Sequence, residues 1–339
     1  MSSKGWKLAD LKQPAEDAPT CFSTFSCGGG STMGYKLAGY RMLGNVEIDP
    51  TINAVYKKNH HPKYNFEMDL RAFNELAEIP EELYHLDVLD GSPPCSTFSM
   101  AGSREKAWNV PKQFREGQAF QTLDDLFFVF IDTVRKLRPK VVVAENVKGL
   151  TAGNAKGYLN QIIREFRDMD YSVQIFLLNA ADYHVPQARE RVFIVANRMG
   201  YPKLRIPAPS DPIKFGEVCS EEGGDPPSEM IARLRNYVLP EDRGLGDIMQ
   251  RVVGKNTYFN YRLVEKDWIC PTITASTRPM RKWDWTSFTD EDIINCSSFP
   301  EDYDFGNQDP LYICGMSVPP KMMEAVAGAI KSQWMEVVG

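Results

Sequence analysis

Several residues in this sequence have the types and spacing to do chemistry. Cys95 lies in Gly91-Ser92-Pro93-Pro94-Cys95-Ser96-Thr97-Phe98-Ser99-Met100-Ala101-Gly102. Two prolines fix the backbone ahead of the thiol, and glycines at either end allow turns. A thiol held in one direction suits a nucleophile, although an unperturbed cysteine titrates near ~8.5 and needs a cationic or polar setting to act as a thiolate. Read alone, the stretch favours a half-buried inert cysteine, because free cysteine is among the most buried residue types. The rest of the chain tips the balance.

Val141-Val142-Val143-Ala144 is a continuous apolar run, expected as a strand buried on both faces of a parallel sheet. It ends in Glu145-Asn146-Val147, so a carboxylate at its tip could sit across a pocket from Cys95. In Gln187-x-Arg189-x-Arg191 the alternation of an extended chain points both arginines the same way. They are either a solvated surface pair or a clamp for an anion or carbonyl. Upstream, Ser26-Cys27-Gly28-Gly29-Gly30-Ser31-Thr32-Met33-Gly34 is a glycine-rich turn into a helix. It is not Gly-x-Gly-x-x-Gly, because Met33 holds the third glycine's place and Gly34 comes one residue late. It still lets a nucleoside approach the backbone closely. Glu47, roughly 20 residues on, ends a second strand, where such an acid bonds ribose hydroxyls or is simply solvated. Asp69 precedes an amphipathic helix and either caps it or contacts an adenine.

These residues must be positioned by alternating strands and helices. Strands are expected at 21–25, 41–49, 84–90, 141–144, 172–179 and 192–196, with helices at 123–137, 157–170 and 319–334. The Cys95 loop then leaves the carboxyl end of a strand, where open α/β sheets place their ligands. Residues 103–118 are polar and basic without periodicity, as in a lid. Past Arg198, prolines at 202, 207, 209, 212, 226 and 227 mark a boundary followed by a small, loop-rich unit. Pro271-Thr272-Ile273-Thr274-Ala275 reads as a short strand, and the terminal helix is expected to pack back on the first domain.

The 339 residues, 43% hydrophobic and 25% charged, describe a soluble globular protein with a sizeable core. There is no membrane-length apolar run and no signal-peptide pattern at the start, so a cytoplasmic protein is expected. Seven scattered cysteines and four histidines, with no Cys-x-x-Cys pair, indicate neither a disulfide framework nor a zinc site. His60, His61 and His184 read as surface or loop residues, and no metal is assigned. The net charge of −6 argues weakly against a nucleic-acid partner. Within 230–288, however, ten Lys/Arg face six Asp/Glu, which makes this segment either a solvated face or a basic binding surface.

Taken in order, these stretches resemble the DNA cytosine-5 methyltransferases of prokaryotic or phage type, over almost all of residues 20–334 except around 200–262. Phe25 to Gly34 is similar to that family's S-adenosylmethionine (AdoMet) loop, and Pro93-Pro94-Cys95 to its nucleophile loop. Glu145-Asn146-Val147 is similar to its catalytic acid strand, and Gln187-x-Arg189-x-Arg191 to its arginine pair. Pro271-Thr272 and Gly315-Met316-Ser317-Val318-Pro319-Pro320 match its C-terminal signatures. The resemblance implies a class I AdoMet-dependent methyltransferase fold, α/β and Rossmann-like, with a mostly parallel seven-stranded sheet and a small target-recognition domain. The implied boundaries are 1–199 plus 306–339 for AdoMet binding and catalysis, and 200–305 for target recognition and hinge, with no extra regulatory domain.

The same resemblance implies the chemistry. Carbon 5 of cytosine is a poor nucleophile, so Cys95 adds to carbon 6 and makes the base an enamine. Glu145 supports ring nitrogen 3, a task that calls for a raised pKa. Arg191 bonds the cytosine carbonyl, and Arg189 braces the lid or a phosphate. AdoMet contacts fall on Phe25, Gly28, Gly30, Glu47, Ile48, Asp69, Leu70, Pro94, Leu126, Ser317 and Val318, with S-adenosylhomocysteine as product and no metal. Double-stranded DNA is the expected partner, its target base flipped into the pocket under the lid. A cognate restriction endonuclease is the genetic partner such an enzyme would have. The same chemistry on tRNA, or a silent DNA-binding accessory or repressor protein, are the alternatives. Cys27, Ser96 and Met316 depart from the family pattern, where glycine, glutamine and asparagine are common.

Overall fold

The computed structural model describes residues 5–94, 126–153, 155–207, 211–255, 257–258 and 260–336. The chain divides into two compact units. One comprises Leu11–Leu178, Glu190–Pro207 and Met323–Gly339; the other comprises Met1–Asp10, Asn179–Arg189 and Ala208–Met322.

The first unit is built on seven strands: β1 (Thr20–Thr24), β2 (Arg41–Glu47), β3 (Tyr64–Glu67), β4 (Val88–Gly91), β5 (Val141–Val147), β6 (Ser172–Asn179) and β7 (Glu190–Asn197). Their order across the sheet is β3-β2-β1-β4-β5-β7-β6. Neighbours from β3 through to β5 are parallel, and β7 runs antiparallel to β5. The order reverses between β1 and β4. The carboxyl ends of those two strands therefore mark the usual ligand position in such sheets.

Helices α1 (Gly30–Leu37), α2 (Pro50–His60), α3 (Leu70–Glu75), α4 (Leu126–Leu137) and α5 (Ala155–Asp168) connect the strands. The core joins Phe22 and Leu89 of the sheet to Phe73 of α3, Phe130 and Val134 of α4, and Ile162 and Phe166 of α5. The apolar run at 141–144 is fully buried, as expected for a central strand. Helix α2 owes its start to Asp49, whose carboxylate accepts from the N–H groups of Thr51 and Ile52, and to Pro50 in the first turn.

The strand expected at 84–90 is shorter. Glu81–His85 forms a 3-10 turn, and pairing begins only at Val88. The reason is Asp87, whose carboxylate accepts from the Thr20 N–H at 2.7 Å and pairs with Lys140 at 2.7 Å, which anchors the chain just before the strand.

The second unit holds α6 (Glu229–Arg233), α7 (Leu245–Val253), α8 (Asp290–Cys296) and α9 (Pro310–Met316). Short parallel pairings join Gln187–Ala188 to Cys270–Pro271 and Leu263–Val264 to Met280–Arg281. A small core gathers Ile231, Leu234, Leu245, Ile248, Leu263, Met280 and Trp285. Beside it Arg281 and Asp292, both fully buried, pair through Nη2 and Oδ2 at 2.7 Å. The N–H groups of Ser220 and Thr289 complete the carboxylate's hydrogen bonds. Asp292→Ala would strand a buried guanidinium and is expected to cost about 3–5 kcal/mol of stability. Urea unfolding followed by tryptophan fluorescence checks this.

The last helix, α10, spans Pro320–Ile330 and continues as a π-helical turn at Lys331–Met335. In the first unit, Tyr40 Oη donates to the Ala327 carbonyl at 3.0 Å, and Lys331 Nζ donates to that of Ala38 at 3.1 Å. Among the described residues, no helix is long and apolar enough to cross a membrane.

Candidate active site

The glycine-rich turn leaves β1 at Phe25 and enters α1 at Gly30. Phe25, Cys27 and Gly29 have φ of 52°, 46° and 78°. Holding two side-chain-bearing residues in the left-handed region costs of order 1–3 kcal/mol each, and local hydrogen bonds fix the shape. Gly29 N–H donates to the Ser26 carbonyl at 2.8 Å, and Asn45 Nδ2 donates to Ser26 Oγ at 2.9 Å. Cys27, at a position where glycine is common in the family, donates its N–H to Glu47 Oε2 at 2.9 Å. Gly29 caps α1 without a side-chain bond, which leaves the first-turn N–H groups to the loop.

Glu47 ends β2 with its carboxyl almost fully buried, and its Oε1 accepts from the Asp49 N–H at 3.0 Å. Burial pushes this carboxyl above the usual range, opposed by the N–H groups of Asp49 and Cys27. The Ile48 N–H faces this carboxyl as well, and the carboxylate retains lone-pair capacity to accept from a ribose hydroxyl. The donor set suits a nucleoside cofactor: a diol acceptor, a glycine turn open to backbone approach and helix N–H groups for an anionic end.

The neighbouring candidates lie in the same unit. Ile48 is half-buried directly after Glu47, and Leu70, buried, opens α3. Asp69 caps α3 by accepting from the Arg71 N–H at 2.7 Å, and it pairs with Arg71 Nη1 at 3.3 Å. Leu126 is buried at the first turn of α4, and Pro94 is half-buried beyond β4. Cys95 and the lid stretch at 103–118 lie outside the described residues.

On β5, Glu145 pairs with Arg191 of β7, Nε to Oε1 at 2.9 Å, with both side chains mostly buried. Burial pulls the Arg191 guanidinium down from its ordinary value while the Glu145 charge opposes the shift, and arginine stays protonated. Asn146, next in β5, donates from Nδ2 to the Pro93 carbonyl at 3.1 Å. The segment that leads to Cys95 is thereby tied to the strand that carries Glu145.

The two arginines of the alternating stretch bond different groups among the described residues. Arg189 is buried in the second unit, where Nη1 donates to the Ile273 carbonyl at 3.0 Å and Nη2 to those of Gly315 and Ser317 at 2.9 and 3.1 Å. It braces the two C-terminal signatures against each other. Ser317 and Val318 are buried in that unit, and Met316 between the braced carbonyls is exposed.

One sequence expectation fails outright. His60 is buried, not a surface residue: its Nε2 lies 3.3 Å from the Gly28 carbonyl, and its Nδ1 lies 3.4 Å from Lys36 Nζ. Burial, with the Lys36 charge adding, pulls the imidazole well below its ordinary value and keeps it neutral. A Cβ on Gly29 would fall 2.1 Å from His60 Nε2, which with the positive φ explains the glycine. Ile52, Val55, Tyr56 and His60 fall on one face of α2 at helical spacing, which was the available signal for the burial of His60, whereas its contact with the turn carried none. Asn146 was legible only as a neighbour of Glu145.

The profile of C-5 cytosine-specific DNA methylases matches residues 20–332. The chain is 31% identical over 270 residues to the Type II methyltransferase M.FnuDI of Fusobacterium nucleatum, covering 79% of this chain and 69% of that protein. It is 26% identical over 338 residues to M1.HphI of Haemophilus parahaemolyticus, covering 92% and 86%. Among solved structures, a prophage-encoded protein of E. coli superposes with a TM-score of 0.66 at 19% identity, covering 93% of this chain and 99% of the other. Dnmt2 methyltransferase of S. pombe superposes at 0.60 with 13% identity, covering 94% and 99%.

Proposed function

This chain belongs to the C-5 cytosine-specific DNA methylase family and methylates DNA cytosine, and on that premise we propose that Cys95, Glu145 and Arg191 carry the reaction on a flipped base. The observation that supports this most is the Glu145–Arg191 pair at the edge of β5 and β7, with Asn146 holding the Pro93 carbonyl beside it. The Cys95 thiolate adds to carbon 6 and makes carbon 5 nucleophilic. Glu145 meets ring nitrogen 3 as density enters the ring, and Arg191 donates to the base carbonyl. After carbon 5 is methylated, loss of its proton and departure of Cys95 restore the aromatic ring.

AdoMet, when bound, supplies the electrophilic methyl group. Phe25, Gly28, Gly30, Glu47, Ile48, Asp69, Leu70, Pro94 and Leu126 would hold it, with Ser317 and Val318. Glu47 takes the ribose hydroxyls, and the glycine turn, propped by His60, admits the anionic end. Arg189 contributes by bracing the Ser317 backbone, so its effect on catalysis is through position.

Residues 1–199 and 306–339 serve cofactor binding and catalysis, while 200–305 read the target. Arg281 and Lys282 are buried, and it is the exposed Arg235, Arg243, Lys255, Arg262 and Lys266 of the basic segment at 230–288 that support the second role by offering phosphate contacts. The enzyme acts in the cytoplasm, without a metal, on a specific duplex sequence.

Transfer of labelled methyl from AdoMet to unmethylated plasmid DNA, with bulk RNA in parallel, tests the reading. Label in DNA, mapped to one short motif by bisulfite sequencing, is the expected result. Label confined to RNA would overturn the substrate, and AdoMet binding without transfer to either would point to a silent DNA-binding protein.

A further inference from the structure

The carboxyl edge of the sheet in the first unit carries a polar row that the reaction as described uses only in part. Ser23 of β1 lies in register with Asp90 of β4, and Asp90 with Val143 of β5. Side chains two residues apart in a strand share a face, so Glu145 projects on the Asp90 side, one diagonal step on. Val147 is in register with Arg191 of β7, which puts Arg191 on that face too, as its pairing with Glu145 requires. Ser23, Asp90, Glu145 and Arg191 therefore run in sequence across four neighbouring strands.

Asp90 is 1% exposed. Its Oδ2 accepts from Ser23 Oγ at 2.8 Å. Ser31 and Tyr35 of α1 face the same carboxyl, yet among the described residues no ordinary hydrogen bond closes on its Oδ1 or on the Tyr35 hydroxyl. An ionised carboxylate with one oxygen left unpaired at this depth is costly. Burial first, and the Glu145 charge with it, push Asp90 up to about 7 against the hydroxyls of Ser23, Ser31 and Tyr35, which favour the ionised form.

The other titratable groups facing it add no charge. Burial raises Cys21 of β1, Tyr35 of α1 and Tyr56 of α2, all of which stay neutral. Among the described residues that leaves Glu145, with Arg191 behind it, as the charged neighbour.

We propose that Asp90 is a positioning residue for the methylation reaction, a buried acid that holds its proton behind Glu145 so that a single negative charge faces Arg191 and the base. This rests on the assignment of Glu145 to the base. When Asp90 loses its proton to solvent, a second negative charge appears on the same face. It opposes the electron density that Cys95 pushes into the ring, so turnover falls on the alkaline side.

The sign for stability follows. The folded carboxyl keeps its proton up to about 7 while the unfolded one ionises near its ordinary 3.8. The group's contribution to stability is full below the unfolded value and is lost as pH rises through the folded one.

Infrared spectra recorded across neutral pH should show a protonated-carboxyl band that disappears in the wild type and is missing throughout in Asp90→Asn. In Glu145→Gln the band should vanish at lower pH, because removing the neighbouring charge weakens the hold on the proton. Asp90→Asn should also lose the alkaline fall in kcat while its KM for AdoMet is unchanged. If Asp90→Asn does not fold, the wild-type and Glu145→Gln spectra still decide. No such band, or a band indifferent to Glu145→Gln, would overturn the proposal, as would an alkaline limb that survives in Asp90→Asn. Full methyl transfer by Glu145→Gln would instead remove the assignment of Glu145, with the spectra still reporting the Asp90 proton.

Discussion

Cys95→Ser is expected to abolish methyl transfer, by a factor on the order of 10⁴ or more, while AdoMet binding persists. The hydroxyl of serine is far less acidic than a thiol, so hardly any alkoxide forms at neutral pH to attack carbon 6. Binding should survive because the groups proposed to hold AdoMet, Glu47 and the turn entering α1 among them, lie on β2 and α1. DNA carrying 5-fluorocytosine at the target separates loss of the nucleophile from loss of binding. A fluorine at carbon 5 cannot depart as a proton, so the wild-type adduct cannot resolve and a denaturation-resistant complex accumulates. Cys95→Ser should yield none. A covalent complex that still formed with the serine variant would move the nucleophile to another residue.

Glu145→Gln should lower kcat by roughly 10²–10⁴ with a small change in KM for AdoMet. The amide keeps the size of the side chain and an acceptor oxygen for Arg191 Nε, now 2.9 Å from Glu145 Oε1. It cannot carry or release a proton at ring nitrogen 3, so the loss should fall on the chemical step. Single-turnover kinetics with saturating AdoMet would show it. Arg191→Ala is the harsher change, because it leaves a mostly buried carboxylate without its cation. It should therefore lower stability as well as turnover, and the two variants are told apart by thermal unfolding. If Glu145→Gln raised KM for AdoMet and left kcat alone, Glu145 would belong to cofactor binding.

The parts of this molecule that could be read along the chain are those in which neighbouring residues carry the signal. Val141 to Ala144 is apolar at every position, and that suffices for a central strand, because only a strand covered on both faces tolerates it. Cys21 to Phe25 followed by glycines announces a strand and a sharp turn, and the order of the short motifs identified the family. The shared face of Glu145 and Arg191 was not legible, because it depends on the antiparallel register of β5 and β7, which nothing in either segment states. Nor were the carbonyls around Arg189, which come from residues far along the chain, or the imidazole under the glycine turn. Asp90 is the sharpest case: in sequence it is one more acid at a strand's end. Only the packing of α1 over β1 and β4, which removes water from a carboxyl facing Ser23, Ser31 and Tyr35, makes it an acid that keeps its proton to about 7. Types and local spacing are properties of the chain, while register and desolvation exist only once distant segments have met.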